Sequence, residues 1–334
     1  MSYAAAAWGA TLYWLLGMDA TRPIADPSAI SVDRTALRIL RPGMLGTVIL
    51  IIIAAPCIVS LPSSVTRYDE QDLGPPGEDP RRPPSLDEPM GADALGRSLA
   101  WRCMLGGAIS LGIGAAAAGI AVAIGVTWGA VAGLAGGRTD AVMMRIVDVL
   151  YGLPYILLVV LLDIALSPSI QRVTEWLMPA DVAAGVADVV TLLAAIGAVS
   201  WLTMARVIRG QVLSLRAEPF VEAARAAGLG PVRIFRSCLL PNLVGPIVVY
   251  TTLTVPTAIL QESFLSFLGI GVQAPLPSWG NLASDGVAAL PAMFLDLGPS
   301  PWWLLVWPCA LLGLTLLGLN LVGDALRSRL DPRK

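Results

Sequence analysis

The amino-acid sequence predicts an all-α polytopic membrane protein with six transmembrane helices. Hydrophobic residues make up 56% of the 334 residues and charged residues only 14%, whereas soluble domains carry about 25% charged residues. Charge-free stretches of 25 to 35 residues recur along the chain, and a helix needs about 20 apolar residues to cross the bilayer. A soluble globular enzyme is excluded because no packing in water hides so much apolar side chain, and so is a disordered chain.

The spans follow from the gaps between charged residues. Four gaps contain no charge, and two more contain acids near their ends. The predicted spans are 42–66, 103–137, 142–166, 186–205, 237–261 and 297–323. The uncharged run 263–284 also has the length of a span, but Gly269, Gly271, Pro275 and Pro277 interrupt it. It is therefore predicted to be a loop or a re-entrant segment.

The connections between the spans divide the chain into five parts. These are a cytoplasmic or interfacial segment 1–41, a first transmembrane helix 42–61, an acidic proline-rich loop 62–100, a core 101–326 with five transmembrane helices, and a tail 327–334. Within the core, the loops 206–241 and 263–300 are predicted on opposite sides of the membrane. Residues 3–18 predict an interfacial helix, with an extra short span as the alternative, and DRTALRILRPG predicts a basic elbow helix on the membrane surface.

Basic residues predict the orientation. With both termini in the cytoplasm, 16 of the 22 basic residues lie in cytoplasmic segments and six on the opposite face, which agrees with the excess of Lys and Arg in cytoplasmic loops. The loop 62–100 is then extracytoplasmic. Its eight acids and seven prolines predict a solvated, mostly extended segment, and contact with an extracellular partner is the alternative.

The loop 206–241 carries short-range helix signals that are unusual for a membrane loop. Pro219 suits the first turn of a helix, and Phe220, Ala223, Ala224 and Ala227 then recur on one helical face. Gly228 stands where a left-handed C-terminal cap belongs. Gly230-Pro231 restarts a helix and Pro241 opens the next span. The pattern predicts a compact helical hairpin, residues 217–240, with an alanine face that a second protein can approach closely; we call it the EAA hairpin.

At these residues the sequence resembles a known family. Glu222-Ala223-Ala224, followed by Gly228 and then by Leu240-Pro241, is similar to the EAA loop of ABC importer permeases. The family has an isoleucine where this chain has Cys238. The flanking runs WLTMARVIRGQVLSLR and ILQESFLSFLGIGVQAPLPSWGNLASDG resemble the C-type permease of dipeptide and oligopeptide importers.

The resemblance covers about residues 88–330. GADALGRSLAWRCMLGGAISLGIG is similar to the family's entry into the second span. Where the family has a His-x-Leu-Gly-Thr-Asp run, this chain reads Glu88-Pro89-Met90-Gly91-Ala92-Asp93, so the histidine and the threonine are replaced.

The resemblance implies the type I ABC importer permease fold and a subunit without catalytic activity in a bacterial or archaeal cytoplasmic membrane. It implies a homologous B-type permease, two cytoplasmic ATPase subunits that bind ATP and Mg, an extracytoplasmic substrate-binding protein and a peptide substrate. No cofactor and no nucleic acid is expected in this chain, and its sequence contains no GxxxxGK[ST] phosphate loop. The overall resemblance alone favours peptides over opines or metal chelates.

Two groups of residues are candidates for functional roles on this basis. The residues expected to couple to the ATPases are Glu222, Ala223, Ala224, Gly228, Leu240 and Pro241. A candidate outer gate follows from the match of Glu262 to the family's Glu-x-x-Leu-Ser-Phe-Leu-Gly run. Its residues are Glu262, Leu265, Ser266, Phe267, Gly269 and Gly271. We call residues 262–280 the LSFLG segment.

Acids in or near the spans suggest a rival function. Asp148, Asp163, Asp188 and Glu262 are residue types that serve as proton or cation sites in ion-coupled secondary transporters. The alternative is that all four lie near helix ends and water, with Asp148 paired to Arg145 three residues away. Within the third span, Gly152-Leu153-Pro154 predicts a kink. The absence of histidine excludes imidazole chemistry, and the four dispersed cysteines are interpreted as apolar fillers.

Overall fold

The computed structural model describes residues 42–75, 79–294 and 301–330. The predictions for the N-terminal interfacial and elbow helices and for the end of the tail fall outside these ranges. Within them the chain is mainly helical. Helices α1 to α11 are Pro42–Val59, Leu61–Arg67, Leu99–Ala135, Gly137–Tyr151, Tyr155–Leu177, Ala180–Leu215, Pro219–Ala226, Pro231–Ile234, Leu240–Phe267, Trp279–Phe294 and Trp303–Leu330.

Among the described residues, six helical segments are long and apolar enough to cross a membrane, which agrees with the six spans predicted for this part of the chain. They are α1, α3, α5, most of α6, the run Pro231–Phe267 and most of α11. That fifth segment includes α8, a π-helical turn at Phe235–Leu239 and α9. Its first residues are also the second half of the EAA hairpin, so the hairpin leads into a membrane helix without a loop between them.

The predicted third span is displaced along the sequence. The prediction was 142–166, but residues Gly137–Tyr151 form the separate amphipathic helix α4, and the span α5 begins at Tyr155. Pro154 adopts an extended conformation (ψ 124°) immediately before α5. Proline has no N–H to continue α4 and its fixed φ suits a helix start, so Gly152-Leu153-Pro154 separates two helices instead of kinking one.

The predicted loop 263–300 is shorter than expected within the described residues. Helix α9 continues to Phe267, and α10 begins at Trp279, so the irregular stretch between them is 268–278. The start of α10 is fixed by a reciprocal cap: the N–H of Ser278 donates to Asn281 Oδ1 (2.8 Å) and the N–H of Asn281 donates to Ser278 Oγ (3.3 Å). These bonds satisfy backbone donors that a helix start leaves without partners.

The acidic loop 62–100 is partly packed within its described residues. Its first residues extend the short helix α2 to Arg67. Arg82 pairs with Asp72 (2.8 Å) and Glu88 (2.7 Å). Asp93, predicted to be solvated, is only 6% exposed, because it pairs with the buried Arg102 at the start of α3.

Small residues allow α3 and α6 to pack closely. Gly125, Gly129 and Gly133 lie four residues apart on the face of α3 that contacts α6. A Cβ atom at Gly125 would lie 2.6 Å from the Cβ of Met204, and one at Gly133 would lie 2.7 Å from a methyl group of Val212. Small residues at this spacing let helix backbones approach each other in a membrane, so this contact forms the centre of the bundle.

Candidate functional site

The EAA hairpin has the conformation that its proline and glycine signals predict. Helix α7 begins at Pro219 and ends at Ala226, and Gly228 follows with φ +80°. The N–H of Leu229 donates to the carbonyl of Ala224 (3.1 Å), and the N–H of Gly228 donates to the carbonyl of Arg225 (2.9 Å). These two bonds define a Schellman cap, in which the left-handed residue is usually glycine. The chain therefore reverses direction sharply between α7 and α8.

A buried cluster attaches the hairpin to the membrane helices. Val221 of α7 is fully buried and Ile234 of α8 is 5% exposed. Both belong to one apolar cluster with residues of α3, α6 and α9. The other buried members are Ala130, Met204, Ile208, Val212, Leu239 and Leu243. Because protein interiors are packed densely and deform little, the hairpin is a rigid extension of the bundle.

The predicted docking residues divide into an exposed group and a packed group. Glu222 and Ala223 are exposed, as is Phe220 with 44% of its surface accessible. Ala224, predicted on the same face, is half-buried against the cluster. Leu240 is half-buried and Pro241 is exposed in the first turn of α9. The free face of α7 thus presents an aromatic ring, a small side chain and a carboxylate.

Arginines in α6 and at its C-terminal cap hold the neighbouring helix ends in place. Arg216 donates to the carbonyl of Gly133 (2.8 Å) at the end of α3, where helix carbonyls lack partners. Arg209 forms a two-point ion pair with Asp140 of α4 (2.6 Å for the Nη2–Oδ2 pair). The hydrogen bonds from the Arg209 guanidinium hold the pKa of the Asp140 carboxyl below its usual range.

The partner predicted for Asp148 is wrong. Its carboxylate pairs with Arg206 of α6 at 2.9 Å, and not with Arg145. The Arg206 guanidinium also lies over the ring of Tyr151, 4.0 Å from its centroid. The partner is 58 residues away in sequence, so helical spacing alone gave no signal for it.

The LSFLG segment is capped in the same way as the EAA hairpin. Gly269 has φ +77°. The N–H of Ile270 donates to the carbonyl of Leu265, and the N–H of Gly269 donates to the carbonyl of Ser266, both at 3.0 Å. Leu265 and Ser266 are buried, whereas Phe267 and Gly269 are exposed. Gly271 is buried with its backbone against Ser266, where a side chain would collide.

Glu262 lies beneath this cap and is completely buried. Ser266 Oγ donates to Glu262 Oε1 at 2.8 Å, and Ser263 Oγ donates to Oε2 at 3.3 Å. The buried hydroxyl groups of Ser110 in α3 and Ser278 before α10 lie beside the same carboxyl group. Among the candidate gate residues, the structure thus brings Glu262, Ser266 and Gly271 together, whereas Phe267 is exposed.

Two further residues, Asn281 and Trp279, fix the LSFLG segment, and neither was among the predicted site residues. The side-chain amide of Asn281 donates to the carbonyls of Val272 (3.2 Å) and Leu276 (2.9 Å). Trp279 is fully buried, and its indole N–H donates to the carbonyl of Cys103 in α3 at 3.1 Å. Both residues lie in the run PSWGN, residues 277–281, but their spacing in the sequence does not indicate which carbonyl groups they bind.

The remaining intramembrane acids are not all near helix ends. Asp163 is the ninth residue of the 23-residue helix α5, and Asp188 is the ninth residue of α6. Both side chains are half-buried. The expectation that Asp163 lies at the interface is wrong, because the span begins at Tyr155 and not at 142. Within the described ranges, no group of three or more His, Cys, Asp or Glu side chains has the geometry of a metal site.

Comparisons with known proteins extend over most of the chain. A family profile described as "Binding-protein-dependent transport system inner membrane component" matches residues 125–334. The dipeptide transport system permease protein DppC of Bacillus subtilis (strain 168) is 40% identical over 313 residues, which cover 91% of this chain and 87% of that protein. The oligopeptide transport system permease protein OppC of the same strain is 39% identical over 306 residues, or 91% of each chain.

A further relative and a solved structure give consistent results. The OppC protein of Haemophilus influenzae is 42% identical over 244 residues, covering 73% of this chain and 70% of that protein. A chain of the MetNI methionine ABC transporter in an inward-facing conformation aligns with a TM-score of 0.50 and 17% identity, over 70% of this chain and 97% of that chain. At this identity the likeness shows the fold alone. With a family match over more than half of its length and relatives near 40% identity, this chain belongs to the family of inner-membrane components of binding-protein-dependent transport systems.

Proposed function

We propose that this chain is the C-type permease subunit of an ATP-driven importer of dipeptides or oligopeptides. The names of the relatives support the substrate class, since both DppC and OppC proteins match over most of the chain. A homologous B-type permease supplies the other half of the translocation path, and a substrate-binding protein delivers the peptide from outside. Two cytoplasmic ATPase subunits bind ATP and Mg and hydrolyse the nucleotide.

The observation that carries this proposal is the free face of α7 on a rigid base. Phe220 and Ala223 are exposed on α7, which lies outside the membrane-spanning helices. Exposed apolar side chains beside polar ones favour a protein contact. Val221, on the opposite side, is locked into the apolar cluster of the bundle. A displacement of α7 by a bound protein is therefore transmitted to the membrane helices, because no flexible loop lies between them to absorb it. We assign this face to the ATPase contact.

The LSFLG segment closes the opposite end of the path in this proposal. It lies at the far end of α9, about 40 Å from the first turn of that helix at a rise of about 1.5 Å per residue. Gly269, the buried Gly271 and the side chain of Asn281 hold the segment in a defined conformation. With the EAA hairpin in the cytoplasm, both termini are cytoplasmic and the LSFLG segment faces the outside, as the distribution of basic residues also favours.

The decisive experiment is transport by the reconstituted complex. Proteoliposomes that contain both permeases and the two ATPase subunits are supplied with ATP, the binding protein and a labelled dipeptide or oligopeptide. We expect uptake that requires ATP and the binding protein and that persists in the presence of an uncoupler. Uptake driven by an ion gradient without ATP, or no uptake of any peptide, would overturn the proposal.

A further inference from the structure

The surroundings of Glu262 form a polar junction between three parts of the bundle. Its carboxyl group accepts hydrogen bonds from Ser263 and Ser266 of α9. Ser110 of α3 and Ser278 at the start of α10 lie beside the same group. All four serines are at most 3% exposed. Buried carboxyl groups are costly unless hydrogen bonds compensate, and the hydroxyl groups of Ser263 and Ser266 supply such bonds here.

Ser266 transmits the position of Glu262 to the irregular stretch of the LSFLG segment. Its hydroxyl group donates to Glu262 Oε1 and accepts from the backbone N–H of Val272 at 3.1 Å. A serine hydroxyl has a single proton. The carboxyl oxygen fixes the direction of that proton and leaves the lone pairs of Ser266 aimed at Val272. Without the acceptor at position 262, the hydroxyl group turns to a carbonyl of its own helix, and the bond to Val272 weakens.

The junction contains no opposite charge that would require Glu262 to be ionised. No arginine or lysine of the described chain forms an ion pair with Glu262, and its neighbours are hydroxyl groups. The hydroxyl oxygen of Ser110 has no hydrogen-bond partner among the described residues. It is therefore free to accept a hydrogen bond from a donor at position 262. The neighbours of residue 262 therefore require a hydrogen-bond acceptor for Ser266 and offer an acceptor at Ser110. They do not require a formal charge at position 262.

We propose that Glu262 is a positioning residue that orients Ser266 and thereby holds Val272 and the rest of the LSFLG segment against α3 during transport. The inference rests on the proposed function, in which this segment closes the outer end of the path. A hydrogen-bond acceptor at the position of Oε1 is what transport requires of residue 262. A glutamine supplies that acceptor and adds an N–H donor for Ser110, whereas a leucine of similar size supplies neither.

The test compares four variants in the complete reconstituted complex: Glu262→Gln, Glu262→Leu, Ser266→Ala and Ser263→Ala. We expect Glu262→Gln and Ser263→Ala to transport peptide like the wild type. Glu262→Leu and Ser266→Ala should lower the maximal transport rate about tenfold, the factor that the loss of about one hydrogen bond corresponds to. Basal ATP hydrolysis in the absence of the binding protein should stay unchanged, because the proposed ATPase contact is on α7, at the opposite end of α9.

Amide hydrogen exchange in residues 268–278 tests the positioning directly and independently of transport. Exchange at Val272 should be faster in Glu262→Leu and Ser266→Ala and unchanged in Glu262→Gln. Transport by Glu262→Gln as low as that by Glu262→Leu would show that the charge is needed, and equal effects of Ser263→Ala and Ser266→Ala would exclude the route through Val272; either result overturns the inference. If Glu262→Leu does not assemble, Ser266→Ala and Ser263→Ala decide. A wild-type complex that transports no peptide but shows the expected exchange pattern would refute the proposed function alone.

Discussion

Gly228 and Gly269 have the same backbone conformation and the same role at the two ends of one continuous stretch of helix. Their φ angles are +80° and +77°, and each completes a Schellman cap with the same pair of backbone hydrogen bonds. An added Cβ atom would meet nothing within 4 Å at either position. Backbone conformation, and not crowding, is therefore what requires glycine at both sites. A substitution at either position thus tests the effect of backbone conformation alone.

At the EAA hairpin, Gly228→Val should weaken the association of the ATPase subunits. A β-branched residue in the left-handed region costs at least about 1–2 kcal/mol, which favours a rearranged turn between α7 and α8. Gly230→Ala is the matched control, because Gly230 is equally open but has φ −71°. Co-purification of the ATPase subunits and stimulation of ATP hydrolysis by loaded binding protein measure the effect. Equal behaviour of the two variants would contradict the assigned role of the turn.

Glu222→Arg should impair the same contact without a change in the fold. Glu222 is exposed on α7, so the substitution reverses a charge on the free face and leaves the buried Val221 in place. We expect normal membrane insertion and a loss of the ATP hydrolysis that loaded binding protein stimulates. Wild-type transport by this variant in reconstituted vesicles would show that the carboxylate does not contribute to docking.

At the LSFLG segment, Gly269→Val should lower transport while the subunits still assemble. The substitution strains the cap that turns the chain from α9 into residues 268–278, as at Gly228. Gly269→Asn separates conformation from other effects, because asparagine tolerates the left-handed region better than valine does. We expect Gly269→Asn to retain most of the uptake of labelled peptide and Gly269→Val to lose most of it. Equal uptake by both would indicate that the segment is only a connection.

The ion pair of Asp93 with Arg102 should make the protein less stable at acid pH. Burial opposes ionisation of Asp93, but backbone N–H groups of Arg97 and Leu95 and the charge of Arg102 outweigh it and hold the pKa of Asp93 below its usual range. A lowered pKa in the folded state contributes stability at pH values above about 4, and this contribution is lost as the pH falls through the folded-state pKa. The thermal stability of the purified protein should therefore fall at pH values below about 4.

Asp93→Asn should remove part of that pH dependence and destabilise the protein at neutral pH. It leaves the buried Arg102 without its principal counter-charge, which costs about 3–5 kcal/mol when one partner of a buried pair is removed. Asp79→Asn is the control, because Asp79 pairs with Arg81 at the surface and exposed pairs contribute about 0–1 kcal/mol. Thermal unfolding of both variants at neutral and acid pH compares them. Equal losses of thermal stability in the two variants would mean that the buried pair contributes no more stability than the exposed one.

Two glycines of α3 differ in how much space surrounds them. A side chain at Gly129 would collide with the backbone of α6, whereas a Cβ atom at Gly119 would meet nothing within 4 Å. Gly129→Ala should therefore lower the thermal stability of the protein, by about 1–3 kcal/mol if the helices separate slightly, and Gly119→Ala should leave it unchanged. Comparable stability of the two variants would argue against close packing of α3 on α6.

The orientation can be checked with single cysteines in a background without the four native ones. Leu86 is fully exposed, and a cysteine there should react with an impermeant maleimide applied to intact cells. A cysteine at Ala217, at the base of the EAA hairpin, should react only after the membrane is permeabilised. The reverse pattern would place the EAA hairpin outside and overturn the proposed contact with the ATPases.

Short-range signals in the sequence predicted the EAA hairpin well. Pro219, Gly228 and the pair Gly230-Pro231 act through their own backbone preferences, and the structure starts α7, turns the chain and starts α8 at these residues. The number of spans was equally accessible, because the length of each apolar run can be read from the sequence and compared with the roughly 20 residues that a bilayer requires.

Long-range pairing was not accessible from the sequence. Asp148 has a helical neighbour of opposite charge in Arg145 but pairs with Arg206 of another helix, and nothing in its spacing indicates that choice. The serines around Glu262 come from separate elements and become a cluster only when α3, α9 and α10 are packed. The break at Pro154 was predicted as a kink, since a proline signal does not state whether the helix bends or ends.

Helix α9 joins the EAA hairpin to the LSFLG segment without an interruption, and this has a consequence for how the chain tolerates insertions and deletions. Each residue added to or removed from Leu240–Phe267 would rotate one end against the other by about 100° and shift it by about 1.5 Å. Glu262 would then no longer face Ser110, or Leu243 would leave the cluster that holds α7. The length of this helix is therefore fixed by the contacts at its two ends.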